Sequence, residues 1–152
     1  MKELKVGMKA PYFEGYDQNE NFINLNQFKG KKLVLYFYPK DNTPGCTTEA
    51  CNLKDHYNYF IKQNYDIVGV SADSIPSHKK FAEKYQLPFS LISDPEKKIL
   101  KLYNAYGEKK MYGKSVMGTI RKTYIINEEG IIEEIIDKVD TKNHAFQILK
   151  TI

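Results

Sequence analysis

The stretch Leu33-Val34-Leu35-Tyr36-Phe37-Tyr38-Pro39-Lys40-Asp41-Asn42-Thr43-Pro44-Gly45-Cys46-Thr47-Thr48-Glu49-Ala50-Cys51 decides how this chain folds. Its first six residues are apolar or aromatic without a break, the pattern of a strand covered on both faces. Pro39 ends that run, a polar turn follows, and Pro44 brings the fixed φ favoured at the first position of a helix. Cys46 therefore falls in the first helical turn. There, unpaired backbone N–H groups and the positive end of the helix dipole favour a thiolate over a thiol. Cys51 follows on the same helix, and the chain has no other cysteine. Two thiols so placed suit reversible redox chemistry.

Working outward, Phe13 precedes and Phe22, Ile23 and Leu25 follow a polar turn at 17–21, which reads as a hairpin leading into the strand at 33–38. On the cysteine helix, Ala50, Leu53, Tyr57, Phe60 and Ile61 recur at steps that give one buried face, with an end near Asn64. Ile67-Val68-Gly69-Val70-Ser71 is a short apolar run expected to form a central strand. Ile75-Pro76-Ser77 starts a second helix through Tyr85, 89–92 is a further strand, and Asp94-Pro95 caps and opens a short helix to about Leu102. After a glycine-punctuated stretch at 107–118, strands at 119–126 and 131–136 form a hairpin around Asn127-Glu128-Glu129-Gly130, and a last helix covers 142–149. The alternation has no linker, repeat or low-complexity segment. It predicts one α/β domain over 1–152, a central mixed sheet flanked by helices.

Composition narrows the function classes. With 152 residues, 41% hydrophobic and 28% charged, the chain can bury a real core. No apolar run approaches the roughly 18 residues of a membrane span and the N-terminus lacks an apolar signal core, so a soluble, cytoplasmic protein is expected, with no membrane partner. A reducing compartment argues against a static structural disulfide. The net charge of +4 comes from lysines scattered among acids, which speaks against nucleic-acid binding. The Cys-x4-Cys spacing lacks the further thiolates of a zinc or iron–sulfur site, and no Cys-x-x-Cys marks a general disulfide reductase. No metal or cofactor is expected. His56, His78 and His144 share no motif and are expected at the surface, and the twelve tyrosines read as core and surface filling.

Arg121 is the only arginine in a chain rich in lysine. A position that needs a planar, permanently charged fork of donors cannot be served equally well by lysine, so Arg121 is either functional or part of a structural ion pair.

Pro39, Thr43 and Cys46 reproduce the Pro-x-x-x-Thr-x-x-Cys signature of peroxiredoxins, and Gly45-Cys46-Thr47 with Glu49-Ala50-Cys51 is similar to the bacterioferritin comigratory, or Q-type, branch. The segments Val70-Ser71-Ala72-Asp73-Ser74, Ser77-His78-Lys79-Lys80-Phe81, Leu87-Pro88-Phe89, Leu91-Ile92-Ser93-Asp94 and Arg121 with Thr123-Tyr124-Ile125-Ile126-Asn127 resemble the same branch. The resemblance implies a thioredoxin-like fold with an N-terminal extension and a thiol-dependent peroxidase acting on hydroperoxides. It also implies electrons from thioredoxin or a similar dithiol, and a monomer or weak dimer.

In that chemistry a thiolate attacks one peroxide oxygen while the other leaves with negative charge. Cys46 would be the peroxidatic thiolate, Thr43 a hydrogen-bonding partner of thiolate or peroxide, Arg121 the stabiliser of thiolate and developing oxyanion, and Pro39 the residue that shapes the pocket mouth. Glu49, one turn after Cys46, would hold Arg121 in orientation; otherwise it is an ordinary surface carboxylate. An ordinary cysteine is only about 3% thiolate at pH 7, and a helix terminus contributes about 0.3–1 kcal/mol, up to about 2 when partly buried. Something else must contribute, and a desolvated arginine near the sulfur is the natural candidate.

Oxidation of Cys46 gives a sulfenic acid that another thiol must condense with, and Cys51 is the only internal candidate for a resolving cysteine. Five residues on an intact helix separate Cα atoms by roughly 8.7 Å. A disulfide tolerates no more than about 7 Å, so the helix start must unwind for the bond to form. Two other classes remain open on sequence alone: a redox-dependent binding or chaperone module of the same fold, and a general disulfide reductase.

Overall fold

The computed structural model describes residues 2–150. Strands β1 (Glu14–Tyr16) and β2 (Phe22–Asn24) form the expected N-terminal hairpin, followed by a 3-10 turn at Leu25–Phe28. Strand β3 (Lys32–Phe37) runs into helix α1 (Pro44–Asp55) and helix α2 (Tyr57–Lys62). Then come β4 (Tyr65–Ser71), α3 (Ile75–Tyr85), β5 (Ser90–Ser93) and α4 (Lys98–Leu102). A hairpin of β6 (Tyr106–Met111) and β7 (Lys114–Thr119) precedes β8 (Lys122–Ile126), β9 (Ile132–Ile136) and α5 (His144–Leu149).

Seven strands form one mixed sheet in the order β2-β1-β5-β4-β3-β8-β9. β3, β4 and β5 pair in parallel, and β8 joins β3 antiparallel. β4 is therefore the central strand that its unbroken apolar run predicts. Alternate residues of β3 feed two cores. Val34 and Tyr36 meet Cys46, Ala50 and Leu53 of α1, Phe60 of α2, Phe81 of α3 and Ile148 of α5. Leu33, Leu35 and Phe37 meet Ile99 and Leu100 of α4 together with Phe13 of the N-terminal segment. Gly69 serves the first of these faces, because a Cβ there would lie 2.9 Å from both the Tyr36 ring and Leu91.

Three sequence expectations are corrected. The cysteine helix does not continue to Asn64: it breaks at His56, whose ring Nδ1–H donates to the Asn52 carbonyl at 2.9 Å. That carbonyl is the acceptor an unbroken helix would offer the His56 amide, which turns instead to Leu53 and Lys54. Past the break, Phe60 is buried but Ile61 is 45% exposed, so Ile61 leaves the predicted apolar face. The Asp94 carboxylate accepts from the Lys98 and Leu100 amides, but the helix begins only at Lys98 rather than at Pro95, and its N-cap position is Lys97, not Asp94. The glycine-punctuated stretch is a strand pair, β6–β7, and the strand expected at 119–126 divides at residues 120–121. The Ile120 amide donates to the Ala105 carbonyl at 2.7 Å, which draws the chain out of β7 before β8 begins.

That division positions Arg121. Lys122, next in sequence, pairs with Phe37 at the end of β3. Arg121 thus stands beside the loop from β3 into α1. No helix of the described residues is long and apolar enough to cross a membrane.

Candidate active site

The site begins where β3 gives way to α1. Asn42 takes a positive φ of 58°, and Thr43 returns to extended backbone, with Pro44 directly after it in the first turn. The Thr43 side chain does not cap the helix; its hydroxyl donates to the Lys40 carbonyl at 2.8 Å. Its lone pairs remain as acceptors, so it cannot also donate to a thiolate in this arrangement. Helix geometry leaves the first amides, including those of Gly45 and Cys46, without intrahelical acceptors. No acidic side chain stands in that first turn to oppose an anion. Pro39 is half-buried at the loop's entrance and Cys46 is 2% exposed.

Arg121 reaches this turn from the β7–β8 break. Its Nη2 donates to Cys46 Sγ at 3.3 Å and its Nη1 to Glu49 Oε1 at 2.6 Å. One planar fork thus joins two residues a helical turn apart, which a single ammonium centre could not do equally well. Gly45 eases the approach, since a Cβ there would stand 3.2 Å from Nη2, a contact to which the guanidinium would have to yield slightly. Sequence reasoning assigned Gly45 no such part, because the constraint comes from a side chain far along the chain.

Glu49 is fully buried and bonded to Arg121, so it is not the surface carboxylate of the alternative reading. Burial pushes its carboxyl up to about 7, against the pull of the Arg121 charge. Its second oxygen, Oε2, has no hydrogen-bond partner and lies 3.6 Å from Nε2 of His144.

His144 and His78 are both 0% exposed, overturning the surface placement expected of them. Each ring finds partners on elements distant in sequence. His144 Nε2 lies 2.8 Å from the Thr123 hydroxyl of β8, and Nδ1 lies 2.7 Å from Gln147 Oε1. His78 Nδ1 lies 2.7 Å from Asp41 Oδ2 and Nε2 lies 3.0 Å from the Ile92 carbonyl. Asp41 also accepts from the Tyr38 hydroxyl at 2.6 Å and the Ser77 hydroxyl at 2.8 Å, so this cluster braces the loop ahead of Thr43. His56 is half-buried at the α1–α2 break. Among the described residues, Asp41, Asp73 and His78 are the group whose donor atoms lie close enough to hold a metal ion. His78 Nδ1, Asp41 Oδ2 and Asp73 Oδ2 are already engaged in hydrogen bonds within the protein.

Cys51 sits half-buried on the same helix with its thiol unpaired, like that of Cys46. Burial pushes the Cys51 thiol up, only partly offset by Lys54. Directly after it, Asn52 ties α1 to the C-terminal region, donating to the Lys142 carbonyl and accepting from the Ala145 amide.

The family model described as AhpC/TSA matches residues 6–135 of the chain. The chain belongs to the AhpC/TSA family, in the Bcp, or Q-type, peroxiredoxin branch. Peroxiredoxin Bcp of Bacillus subtilis is 42% identical over 149 residues, covering 98% of this chain and 95% of its own length. A solved structure of Xanthomonas campestris peroxiredoxin Q superposes with a TM-score of 0.89 at 34% identity, over 97% of this chain and 96% of that one. The bacterioferritin comigratory protein of the same organism, whose alkyl peroxide reduction is documented by trapped intermediate and ligand complexes, gives 0.88 at 33% identity over 96% of each chain. The peroxiredoxin is accordingly a thiol peroxidase on a thioredoxin-like fold.

Proposed function

We propose that Cys46 is the peroxidatic cysteine of this peroxiredoxin and Cys51 its resolving partner. The observation that carries the assignment is the Arg121 guanidinium 3.3 Å from Cys46 Sγ, itself held by a buried carboxylate. The Cys46 thiolate attacks the terminal oxygen of a hydroperoxide; the S–O bond forms as the O–O bond breaks. The departing oxygen carries the negative charge, takes a proton and leaves as water or an alcohol. Arg121 and the first helical amides supply fixed donors to that charge, with no reorganisation at the moment of reaction. Thr43, its own proton committed to Lys40, accepts from the peroxide O–H, and Pro39 shapes the mouth.

Cys51 then attacks the Cys46 sulfenic acid, forming an intramolecular disulfide and releasing water. A dithiol such as thioredoxin returns both cysteines to thiols by exchange. Since α1 is continuous from Pro44 to Asp55, the helix start unwinds for this step, while Asn52 anchors the turn that follows. Unwinding also exposes Cys51 and relieves the burial that keeps it a thiol. Hydrogen peroxide and organic hydroperoxides are the substrate class, alkyl peroxide reduction being a documented activity of the Xanthomonas protein. The cycle serves antioxidant defence in the cytoplasm, and an internal resolving cysteine allows it to run in a monomer or weak dimer.

The test is peroxide consumption, with a thioredoxin system, by wild type, Cys46→Ser and Cys51→Ser, together with mass mapping of the oxidised wild type. Activity is expected to vanish in Cys46→Ser, and the oxidised wild type is expected to carry a Cys46–Cys51 bond. Full turnover by Cys46→Ser, or a disulfide only between chains, contradicts the assignment.

A further inference from the structure

Behind Cys46, Glu49 and His144 meet in the interior with no solvent exposure. Glu49 Oε2 has no hydrogen-bond partner, a costly state for a buried charged oxygen. The ionisable atom facing it is Nε2 of His144, 3.6 Å away, and a shift of less than about 1 Å would close a hydrogen bond. The tautomer of the ring is fixed from its other side. Gln147 donates through Nε2 to the Lys138 carbonyl and accepts the Asp140 amide at Oε1, so its Oε1 can only accept from His144 Nδ1–H. Nε2 is left to accept when bare or donate when protonated. The Thr123 hydroxyl beside it serves either state by rotating.

Charge balance decides what this contact does. Arg121 always carries one positive charge. If Glu49 is ionised and His144 neutral, Arg121 is already matched, and a thiolate at Cys46 adds an unmatched negative charge to a buried site. One proton on the Glu49–His144 pair removes that conflict. Arg121, Asp140 and Glu134 are the other charged groups facing His144, while Arg121, Cys46 and the Tyr36 phenol face Glu49.

We propose that Glu49 and His144 share a single proton, so that Arg121 is balanced by the Cys46 thiolate rather than by Glu49, and that His144 is a positioning residue for the peroxidatic centre. The inference rests on the assignment of Cys46 above. Burial raises the carboxyl of Glu49 and lowers the imidazole of His144, which brings the two into the range where one proton can be shared. With that proton already on the pair, a thiolate at Cys46 brings the buried cluster to zero net charge against Arg121.

The experiment is the pH dependence of Cys46 alkylation by iodoacetamide in a Cys51→Ser background, without peroxide. His144→Gln keeps a donor for Glu49 but cannot carry the shared proton. It is expected to move the midpoint up by about one pH unit, roughly tenfold less thiolate at a given pH below it. Adding Glu49→Gln, which cannot ionise, is expected to bring the midpoint back. An unmoved midpoint in His144→Gln, or no return in the double variant, overturns the proposal. Should the variants fail to fold, NMR of the His144 ring nitrogens and the Glu49 carboxyl carbon in the unsubstituted protein decides. While Cys46 is a thiolate, one proton must be found on the Glu49–His144 pair, and a bare carboxylate beside a neutral ring overturns the proposal. Because alkylation needs no peroxide, failure of the peroxidase assignment is read separately in the turnover assay.

Discussion

Two buried carboxylate–histidine pairs flank the start of α1, and they are built to different standards. In the first, both oxygens of Asp41 are occupied, by Tyr38, Ser77 and His78, and His78 is bonded through both ring nitrogens. In the second, one oxygen of Glu49 holds Arg121 and the other has no partner. A saturated buried network has one low-energy arrangement and acts as a brace. An unsaturated one leaves room for a change of protonation beside a reactive group. The peroxiredoxin uses the first to fix the loop ahead of Thr43 and the second to set the charge around Cys46.

The comparison can be broken by substitution. Asp41→Ala leaves the Tyr38 and Ser77 hydroxyls and the His78 ring without their shared partner. It is expected to lower unfolding stability by about 3–5 kcal/mol in a denaturant titration, the range for breaking a buried pair. A loss below about 1 kcal/mol would mean that the cluster is not a brace.

Glu49→Gln is expected to act in a pH-dependent way. In the folded protein Glu49 keeps its proton up to about 7, whereas in the unfolded chain it loses it near 4.5. The folded state therefore binds more protons between those values, and this group's contribution to stability falls as pH rises through them. Gln cannot titrate, so the stability of the variant relative to wild type should rise across that window, by at most about 3 kcal/mol. His144, whose folded-state affinity for protons is lowered, contributes with the opposite sign, and because it faces Glu49 the difference reads the pair rather than either residue alone. A difference independent of pH would place the Glu49 titration elsewhere.

The smallest expected effect concerns α1 itself. Amides at 47–53 should lose hydrogen-exchange protection on oxidation, while the following turn, tied by Asn52, keeps more of its own. Equal protection in reduced and oxidised protein would mean that the helix need not unwind.

The sheet was legible because its central strands are continuous apolar runs bounded by prolines and polar turns, and because each turn carried recognisable chemistry. β6 and β7 were not, since β7 is mostly exposed and the pair mixes lysines, glycines and other polar residues with its few apolar ones without regular alternation. The break at His56 depends on one ring bonding one carbonyl, which no periodicity records. At the site, Cys46 and Arg121 could be singled out by residue type and position, and Thr43 by the resemblance to the peroxiredoxin signature. Glu49 could not be decided, because its burial follows from the Arg121 contact and the packing of α5 onto α1. His78 and His144 were misplaced for the same reason: the atoms that satisfy them, on Asp41, Ile92, Thr123 and Gln147, are assembled only by the fold. Gly45 is explained solely by the guanidinium that passes beside it.

The most direct measurement is the rate at which hydrogen peroxide oxidises Cys46 in wild type and Arg121→Lys, both in the Cys51→Ser background and with thermal unfolding recorded on each. Because a single ammonium centre cannot bond Sγ and Glu49 as well as the planar fork does, the rate is expected to fall at least about tenfold, a loss of about 1.4 kcal/mol of transition-state stabilisation, with the fold retained. An unchanged rate in a folded Arg121→Lys protein would remove the guanidinium from the chemistry and contradict the account.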